Sequence, residues 1–143
     1  MAKNKLENKL LAVLRVRGRA NIRTSIEETL ERLNLKRINN LSVLYGSKSN
    51  IGMLYKCNDY IAYGEIDDET LNKLFSKREI KLDDAQMKDL KEGKKSLRSH
   101  DVHLPIRMHP PKHGFRNTKK SYVNGGDLGY RGEEINKLIK RML

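Results

Sequence analysis

The first apolar segment of the chain alternates between two sides of an extended backbone. Successive side chains of a strand point to opposite faces, so every second residue shares a face. One side of this segment is apolar throughout, whereas the other begins apolar and ends in Arg15 and Arg17. The pattern predicts a strand over residues 10–17 with one face to bury and a basic exit. The residues of the apolar face are Leu10, Ala12, Leu14 and Val16.

A helical pattern follows the first strand. Thr24 and Glu27 have the spacing of a capping box, in which each side chain hydrogen-bonds a free backbone N–H at the start of a helix. Apolar residues then recur every three or four positions and form one stripe. Asn34 readily takes the left-handed conformation in which helices end. The helix is therefore predicted to begin at Thr24 and end near Asn34. The stripe consists of Ile26, Leu30 and Leu33.

Two more pairs of strand and helix complete the first part of the chain. Each helix can cover one face of a small sheet, so residues 10–78 are predicted to form a two-layer α/β core domain. Six short elements in this length leave no room for a second core. The predicted strands span residues 41–45 and 60–63, and the predicted helices span residues 50–57 and 67 or 68 to 78.

The remainder of the chain has a different character. Residues 83–92 predict an amphipathic helix, and alternation over residues 104–108 predicts an extended segment. Pro105 has no backbone N–H, so this segment is expected at an edge of the sheet or against something else. Residues 110–132 have little apolar content and predict a long loop that lacks structure unless a partner orders it. A last helix from about Glu133 is expected to dock on the core. Its packing stripe is Ile135, Leu138, Ile139 and Met142.

The net charge of the chain indicates which class of partner it binds. The formal net charge is +12 over 143 residues, and residues 1–9 are interpreted as a basic N-terminal tail. Such an excess makes a polyanion the expected partner, and nucleic acid is the commonest one. No apolar run is long enough to cross a bilayer, and the first residues lack the apolar centre of a secretory signal, so no membrane partner is predicted. The single cysteine, Cys57, excludes an internal disulfide and suits a reducing cytoplasm.

Basic residues cluster at the exit of the first strand and again towards the C-terminus. Arg15, Arg17, Arg19 and Arg23 surround the strand exit, and the stretch Arg107–Lys120 contains no acidic residue. A guanidinium group binds phosphate through two hydrogen bonds at once, and planar rings can stack on unpaired bases. The clusters therefore predict a nucleic-acid interface, with a solvated basic surface and a flexible loop as the alternative. The interleaved rings are those of His109, His113 and Phe115.

No arrangement of acid, base and nucleophile emerges, and no cofactor or metal is predicted. The histidines have spacings that a metal site could use, but a zinc site needs three or four rigid ligands and no carboxylate lies between His103 and Lys120. Cys57 has no neighbouring histidine and is interpreted as a packing residue. Gly125–Gly132 lacks the preceding buried strand of a dinucleotide-binding loop and is interpreted as a flexible turn pressed against a partner. The histidines are His100, His103, His109 and His113.

Five blocks of residues stand in a characteristic order along the chain: Leu30–Asn40, Gly52-Met53, Asn58–Glu65, Arg107–Gly114 and Gly125–Gly129. Together they resemble the large-subunit ribosomal protein thirty family. The last two blocks resemble the extension of its archaeal members, which are related to the eukaryotic ribosomal protein seven; bacterial members lack this extension. The resemblance covers most of residues 10–78 and again residues 104–143.

The resemblance implies an α+β fold and a function. The implied fold is a two-layer ferredoxin-like β-α-β-α-β core with a three-stranded sheet in the order 3-1-2, strand one being central. An archaeal-type extension, residues 79–143, follows with a basic RNA-facing loop and a helix packed on the core. The implied function is that of a structural constituent of the large ribosomal subunit in the cytoplasm, without catalysis or a small-molecule substrate. The implied partners are large-subunit ribosomal RNA and neighbouring large-subunit ribosomal proteins. The residues predicted to bind ribosomal RNA are Arg15, Arg17, Arg19, Arg23, Arg37, Arg107, His109, Lys112, His113, Arg116, Lys119 and Lys120.

Two other functions stay open on the residues alone. A free-standing RNA-binding regulator or chaperone would carry the same basic loops, but it would not sediment stoichiometrically with large ribosomal subunits after a high-salt wash. A small metal-dependent hydrolase would use the C-terminal histidines, and the pure protein would then hold a stoichiometric metal ion.

Overall fold

The computed structural model describes residues 9–18, 22–78, 81, 83–92, 106–115, 117 and 119–143. Apart from Lys9, the predicted basic tail lies outside the described residues, as do His100 and His103. The strands are β1 (Leu10–Arg15), β2 (Asn40–Tyr45), β3 (Ile61–Glu65), β4 (Ile106–Arg107) and β5 (Gly129–Tyr130). The α-helices are α1 (Thr24–Arg32), α2 (Lys48–Lys56), α3 (Asp68–Lys77), α4 (Asp84–Glu92) and α5 (Glu134–Met142), and a 3-10 turn spans Tyr122–Asn124.

The described strands form one sheet in the order β4-β2-β1-β3-β5. β1 lies between β2 and β3 and pairs antiparallel with both, β4 pairs antiparallel with β2, and β5 pairs parallel with β3. The prediction of a three-stranded sheet is therefore wrong in its strand count. The two additional strands have two residues each, which is too short for an alternating pattern to reveal. β4 lies at a sheet edge, as predicted for the segment that contains Pro105.

Both faces of the sheet are covered by helices, so the predictions of two layers and of one core are wrong. Ala12 and Leu14 of β1 belong to a hydrophobic cluster with α3, α4 and α5. Leu11 and Val13 belong to a second cluster with α1 and α2. A strand that is apolar on both sides has to be covered on both sides. The domain therefore has three layers, with the sheet between two groups of helices and a hydrophobic cluster on each of its faces.

The start of α3 agrees with the prediction, whereas α2 begins at Lys48, two residues before its predicted start, and the predicted cap of α1 differs. Ser47 and Asp67 cap α2 and α3, since their side chains accept hydrogen bonds from the N–H groups of Asn50 (3.2 Å) and Thr70 (2.7 Å). The predicted capping box at Thr24 is wrong, because the extended cap residue of α1 is the one before it and makes no side-chain hydrogen bond. Asn34 has the predicted left-handed backbone, with φ 62°.

The C-terminal helix α5 packs closely on β3. A Cβ atom at Gly64 would collide with the carbonyl oxygen of Gly132, so the glycine permits the close approach. The side-chain amide of Asn136 donates to the Glu65 carbonyl (3.1 Å) and accepts from the Asp67 N–H (3.0 Å), which fixes the helix against the end of the strand. The predicted packing stripe of this helix is buried, at Ile135, Leu138, Ile139 and Met142.

Residues 119–130 have structure of their own, so the prediction of a structureless loop is wrong for this part. They contain the 3-10 turn and β5. Gly126 is pressed against its own chain, since a Cβ atom there would collide with the backbone of Lys120. The prediction rested on low apolar content. The segment is instead held by backbone hydrogen bonds and by a buried ion pair between Asp127 and Arg131.

Candidate nucleic-acid interface

The side chain of Arg15 is buried, with 1% of the residue exposed. Its Nε donates to the carbonyl oxygen of Arg17 (2.9 Å), and its Nη1 donates to those of Leu35 (2.8 Å) and Lys36 (3.0 Å). The guanidinium group thus ties the end of β1 to the turn after α1. The prediction that Arg15 contacts RNA is wrong, because the whole group is enclosed by the protein. Its main partners lie 20 and 21 positions further along the chain, where no local pattern could identify them.

Arg17 and Arg23 are accessible at the same end of β1. Arg17 is partly exposed, and its guanidinium carbon lies 5.2 Å from the centroid of the Tyr60 ring. Its Nη1 is 3.5 Å from the carbonyl oxygen of Asp59. Arg23 is exposed at the start of α1, and Arg19 lies outside the described residues. The exit of β1 therefore presents two cations, one of which is held over an aromatic ring.

A second group of exposed basic side chains lies along β4. Arg107 pairs with Asn40 of β2, and the N–H of Met108 donates to the carbonyl oxygen of Asn39 (3.0 Å). These contacts place the turn that carries Arg37 beside β4. The group combines residues that are about 70 positions apart in sequence. It is named the β4-edge surface and consists of the exposed side chains of Arg37, Arg107, His109, Lys112 and His113.

The backbone of residues 109–114 lies on the C-terminal end of α5. The N–H of Lys112 donates to the carbonyl oxygen of Arg141 (3.2 Å), and Nη1 of Arg141 donates to the carbonyl oxygens of Lys112 (3.3 Å) and Gly114 (3.4 Å). The side chains of Lys112 and His113 remain exposed. This contact of Arg141 was not predictable from the sequence, because a basic residue in a last helical turn is also expected from the helix dipole alone.

Lys119 and Lys120 are exposed at the other edge of the sheet, in the segment that leads into β5. The N–H of Leu128, next to β5, donates to the carbonyl oxygen of Lys120 (3.2 Å). Residues 117 and 119–127 are named the basic loop, and Arg116 and Thr118 lie outside the described residues. Residues that form one continuous basic stretch in sequence are therefore divided between two edges of the sheet. The expectation of a single contact loop from His109 to Lys120 is corrected to two separate surfaces.

The remaining candidate groups are the side chains that could bind a metal ion and the thiol of Cys57. In the ranges that the structure covers, no three His, Cys, Asp or Glu side chains are grouped as a metal site would require. Cys57 is buried, and burial raises the pKa of its thiol to about 11, so the group is a neutral thiol at pH 7. Among the helices described, none combines the length and the apolar character needed to cross a bilayer.

The amino-acid sequence is similar to the sequence model of one protein family and to the sequences of several named proteins. The sequence model of the family described as ribosomal protein L30p/L7e matches residues 11–61. A protein of Thermoplasma volcanium named large ribosomal subunit protein uL30 is 41% identical, over 94% of this chain and 93% of that protein. Proteins of the same name from Methanosphaera stadtmanae and Saccharolobus islandicus are 35% and 41% identical, over 94% of this chain and 100% and 98% of their own lengths.

Proposed function

The chain belongs to the ribosomal protein L30p/L7e family, of the archaeal type, and from this premise we propose that it is a structural constituent of the large ribosomal subunit that binds ribosomal RNA. The observation that carries the proposal is the similarity to proteins named large ribosomal subunit protein uL30 over 94% of the chain. Proteins of this family are structural and not enzymes. The protein therefore supports assembly and translation within the ribosome, in the cytoplasm.

The exposed cations at both sheet edges support RNA as the ligand of the proposed surfaces. Apart from Arg37, the cations of these two surfaces belong to the stretch Arg107–Lys120, which has no carboxylate, in a chain of net charge +12. Lysine and arginine side chains that neutralise phosphates release bound counterions, which drives association with RNA. Arg17 and Arg23 add two cations at the exit of β1. Arg19 and Arg116 remain predictions from the sequence.

Two planar groups support contacts to bases as well as to phosphates. The imidazole rings of His109 and His113 are exposed within the β4-edge surface. Rings of this kind stack on unpaired bases in single-stranded loops and bulges of RNA. The left-handed backbone of His113, with φ 68°, occurs at a turn and sets the direction of its side chain. The β4-edge surface is therefore proposed to bind a non-helical segment of RNA together with its phosphates.

The separation of the two surfaces supports a function in holding RNA segments together. β4 and β5 are the outer strands of the described sheet, so the β4-edge surface and the basic loop lie at its opposite edges. A rigid sheet between them fixes the distance and orientation of whatever each surface binds. We expect each surface to contact a different segment of large-subunit ribosomal RNA. Neighbouring large-subunit ribosomal proteins are the further partners expected.

Sedimentation tests the ribosomal function directly. Tagged full-length protein is expressed in the source cells, and ribosomal subunits are separated after a high-salt wash. Stoichiometric recovery with large subunits is expected, because interlocked contacts with folded RNA survive salt that removes loosely bound cations. Release of all the protein into the soluble fraction would contradict the proposal and favour a free-standing RNA-binding regulator or chaperone.

A charge-neutralising variant tests the β4-edge surface. Arg107→Ala combined with Lys112→Ala should reduce the salt dependence of binding to purified large-subunit ribosomal RNA, with the log–log slope falling by about 0.7–0.9 for each phosphate that is no longer neutralised. The measurement is a filter-binding titration at several salt concentrations. The matched control is Lys73→Ala with Lys137→Ala, which removes the same charge from α3 and α5 at positions paired with Glu69 and Glu134. Equal decreases of slope in both variants would contradict a localised surface.

A further inference from the structure

The basic loop is closed at its base by the carboxylate of Asp127, which is fully buried. Oδ2 accepts a hydrogen bond from the N–H of Asn117 (3.0 Å), and Oδ1 accepts one from Nη1 of Arg131 (3.2 Å). The N–H of Asp127 donates in turn to the carbonyl oxygen of Asn117 (3.0 Å). One residue therefore joins the two ends of the loop through backbone and side chain together.

The contacts of Asp127 with Asn117 and Arg131 are named the clamp. The clamp is anchored on the sheet through Arg131, which is 8% exposed. Its backbone N–H donates to the carbonyl oxygen of Tyr63 in β3 (2.9 Å). Its guanidinium carbon lies 4.9 Å from the centroid of the Tyr122 ring, within the loop itself. The ion pair of Arg131 with Asp127 is thus connected to the central sheet on one side and to the 3-10 turn on the other.

Backbone contacts transmit this anchoring to the two exposed lysines. The N–H of Lys119 donates to Oδ1 of Asn117 (2.8 Å), and the carbonyl oxygen of Lys120 accepts from the N–H of Leu128 (3.2 Å). Gly126 lies so close that a Cβ atom would collide with the Lys120 carbonyl. The backbone positions of Lys119 and Lys120 are therefore set by the clamp, whereas their side chains stay exposed.

A buried ion pair contributes little net stability, because removing two charges from water offsets much of their attraction. Its better-attested effect is to specify one geometry. We propose that Asp127 is a positioning residue for ribosomal RNA binding, which orders the basic loop so that Lys119 and Lys120 are already placed to contact phosphates. The inference rests on the proposed function. Ordering the loop before association removes a conformational entropy cost that a mobile loop would meet on binding.

The sign of the effect distinguishes positioning from simple electrostatics. Asp127→Ala removes a negative charge, and a higher net positive charge strengthens attraction to a polyanion. Loss of the clamp has the opposite effect, since Lys119 and Lys120 no longer have fixed positions. A positioning function therefore requires weaker RNA binding from a substitution that makes the protein more basic.

The first experiment compares Asp127→Ala with Glu28→Ala, which removes one carboxylate from the exposed surface of α1. Affinity for purified large-subunit ribosomal RNA is measured by filter binding with the full-length chain. We expect Glu28→Ala to bind as tightly as the wild type or slightly more tightly, and Asp127→Ala to bind about tenfold more weakly. Unchanged or tighter binding by a folded Asp127→Ala protein would overturn the positioning function.

A double-mutant cycle shows whether Asp127 acts through the lysines. Lys119→Ala with Lys120→Ala should weaken RNA binding, and adding Asp127→Ala to that background should cause no further weakening. A full additional decrease in affinity would overturn positioning and leave the proposed function intact. Wild-type affinity of the Lys119→Ala, Lys120→Ala variant would instead contradict RNA contact at the basic loop, and with it both the loop's proposed function and the positioning.

Folding is checked by thermal unfolding of each variant, because removing Asp127 leaves the Arg131 cation buried without its carboxylate. Gly126→Ala keeps the inference testable if Asp127→Ala does not fold. Its methyl group must displace the backbone at Lys120 without changing any charge. We expect it to weaken RNA binding by several-fold while the core unfolds cooperatively, and wild-type affinity would overturn the inference.

Discussion

Arg15 and Arg17 lie at the same end of β1, but their guanidinium groups have different environments. That of Arg15 is enclosed and donates to three backbone carbonyls. That of Arg17 is partly exposed over the ring of Tyr60. A phosphate ligand requires a guanidinium edge that solvent can reach, so of this pair only Arg17 remains a proposed contact residue, and Arg15 is a structural residue.

Substitution of Arg15 tests this division at the residue scale. Arg15→Met should lower the free energy of unfolding by about 3 kcal/mol, because buried carbonyl groups lose charge-assisted hydrogen bonds. Urea denaturation measures the change. Arg17→Met should change stability by about 0.5 kcal/mol or less and should weaken RNA binding. If folded Arg15→Met protein bound RNA more weakly while its stability matched the wild type, Arg15 would belong to the interface after all.

The helices of the core begin in different ways. α2 and α3 each start after a residue with extended backbone whose side chain accepts an N–H of the first turn, Ser47 in one and Asp67 in the other. α1 starts after Arg23, which has the extended backbone of a cap but makes no side-chain hydrogen bond of that kind. Thr24 already lies inside the helix, so its hydroxyl cannot act as the predicted cap.

Paired alanine substitutions test the helix starts at the element scale. Ser47→Ala should lower the free energy of unfolding by about 1 kcal/mol, because an N–H of α2 loses its acceptor. Thr24→Ala should change it by about 0.5 kcal/mol or less, since the position is exposed in the first turn of α1. Chemical denaturation of both variants under one set of conditions gives the comparison. If Thr24→Ala were as destabilising as Ser47→Ala, the result would support the predicted capping box at Thr24.

The whole molecule depends on its C-terminal part to complete the core. The cluster on one face of the sheet combines residues of β1, β2 and β3 with residues of α4, α5 and the segments around β4 and β5. Without those elements only α3 would cover this face of the sheet, and the rest of the face would be exposed to water. The C-terminal part is therefore part of the hydrophobic core, and it also carries the basic loop and every residue of the β4-edge surface except Arg37.

Truncation tests this dependence at the scale of the molecule. A fragment of residues 1–78 should fail to unfold cooperatively, because apolar positions such as Leu14 and Leu41 lose their cover. Differential scanning calorimetry and near-UV circular dichroism measure the change. In the full chain, Leu138→Asp should have a similar effect, whereas Lys137→Asp on the exposed side of α5 should not. A cooperative transition of the fragment near that of the full chain would contradict the shared core.

The amino-acid sequence by itself determined the features that depend on neighbours within one turn or one strand. The alternation in β1, the buried stripe of α5 and the left-handed Asn34 were all predictable, because each follows from backbone geometry over a few residues. The blocks of family resemblance and the net positive charge were equally visible, and they led to the ribosomal function and to RNA as the ligand. Contact of the individual exposed basic residues with RNA remains a proposal.

Tertiary structure alone decided which basic side chains face solvent and which surfaces they form. Arg15 is buried because carbonyl groups distant in sequence enclose it, and Arg37 joins Arg107 because β4 pairs with β2. The second covering layer, the two-residue edge strands and the clamp at Asp127 likewise depend on contacts between segments far apart along the chain. Local periodicity has no information about such contacts, since burial of a side chain is a property of what packs around it.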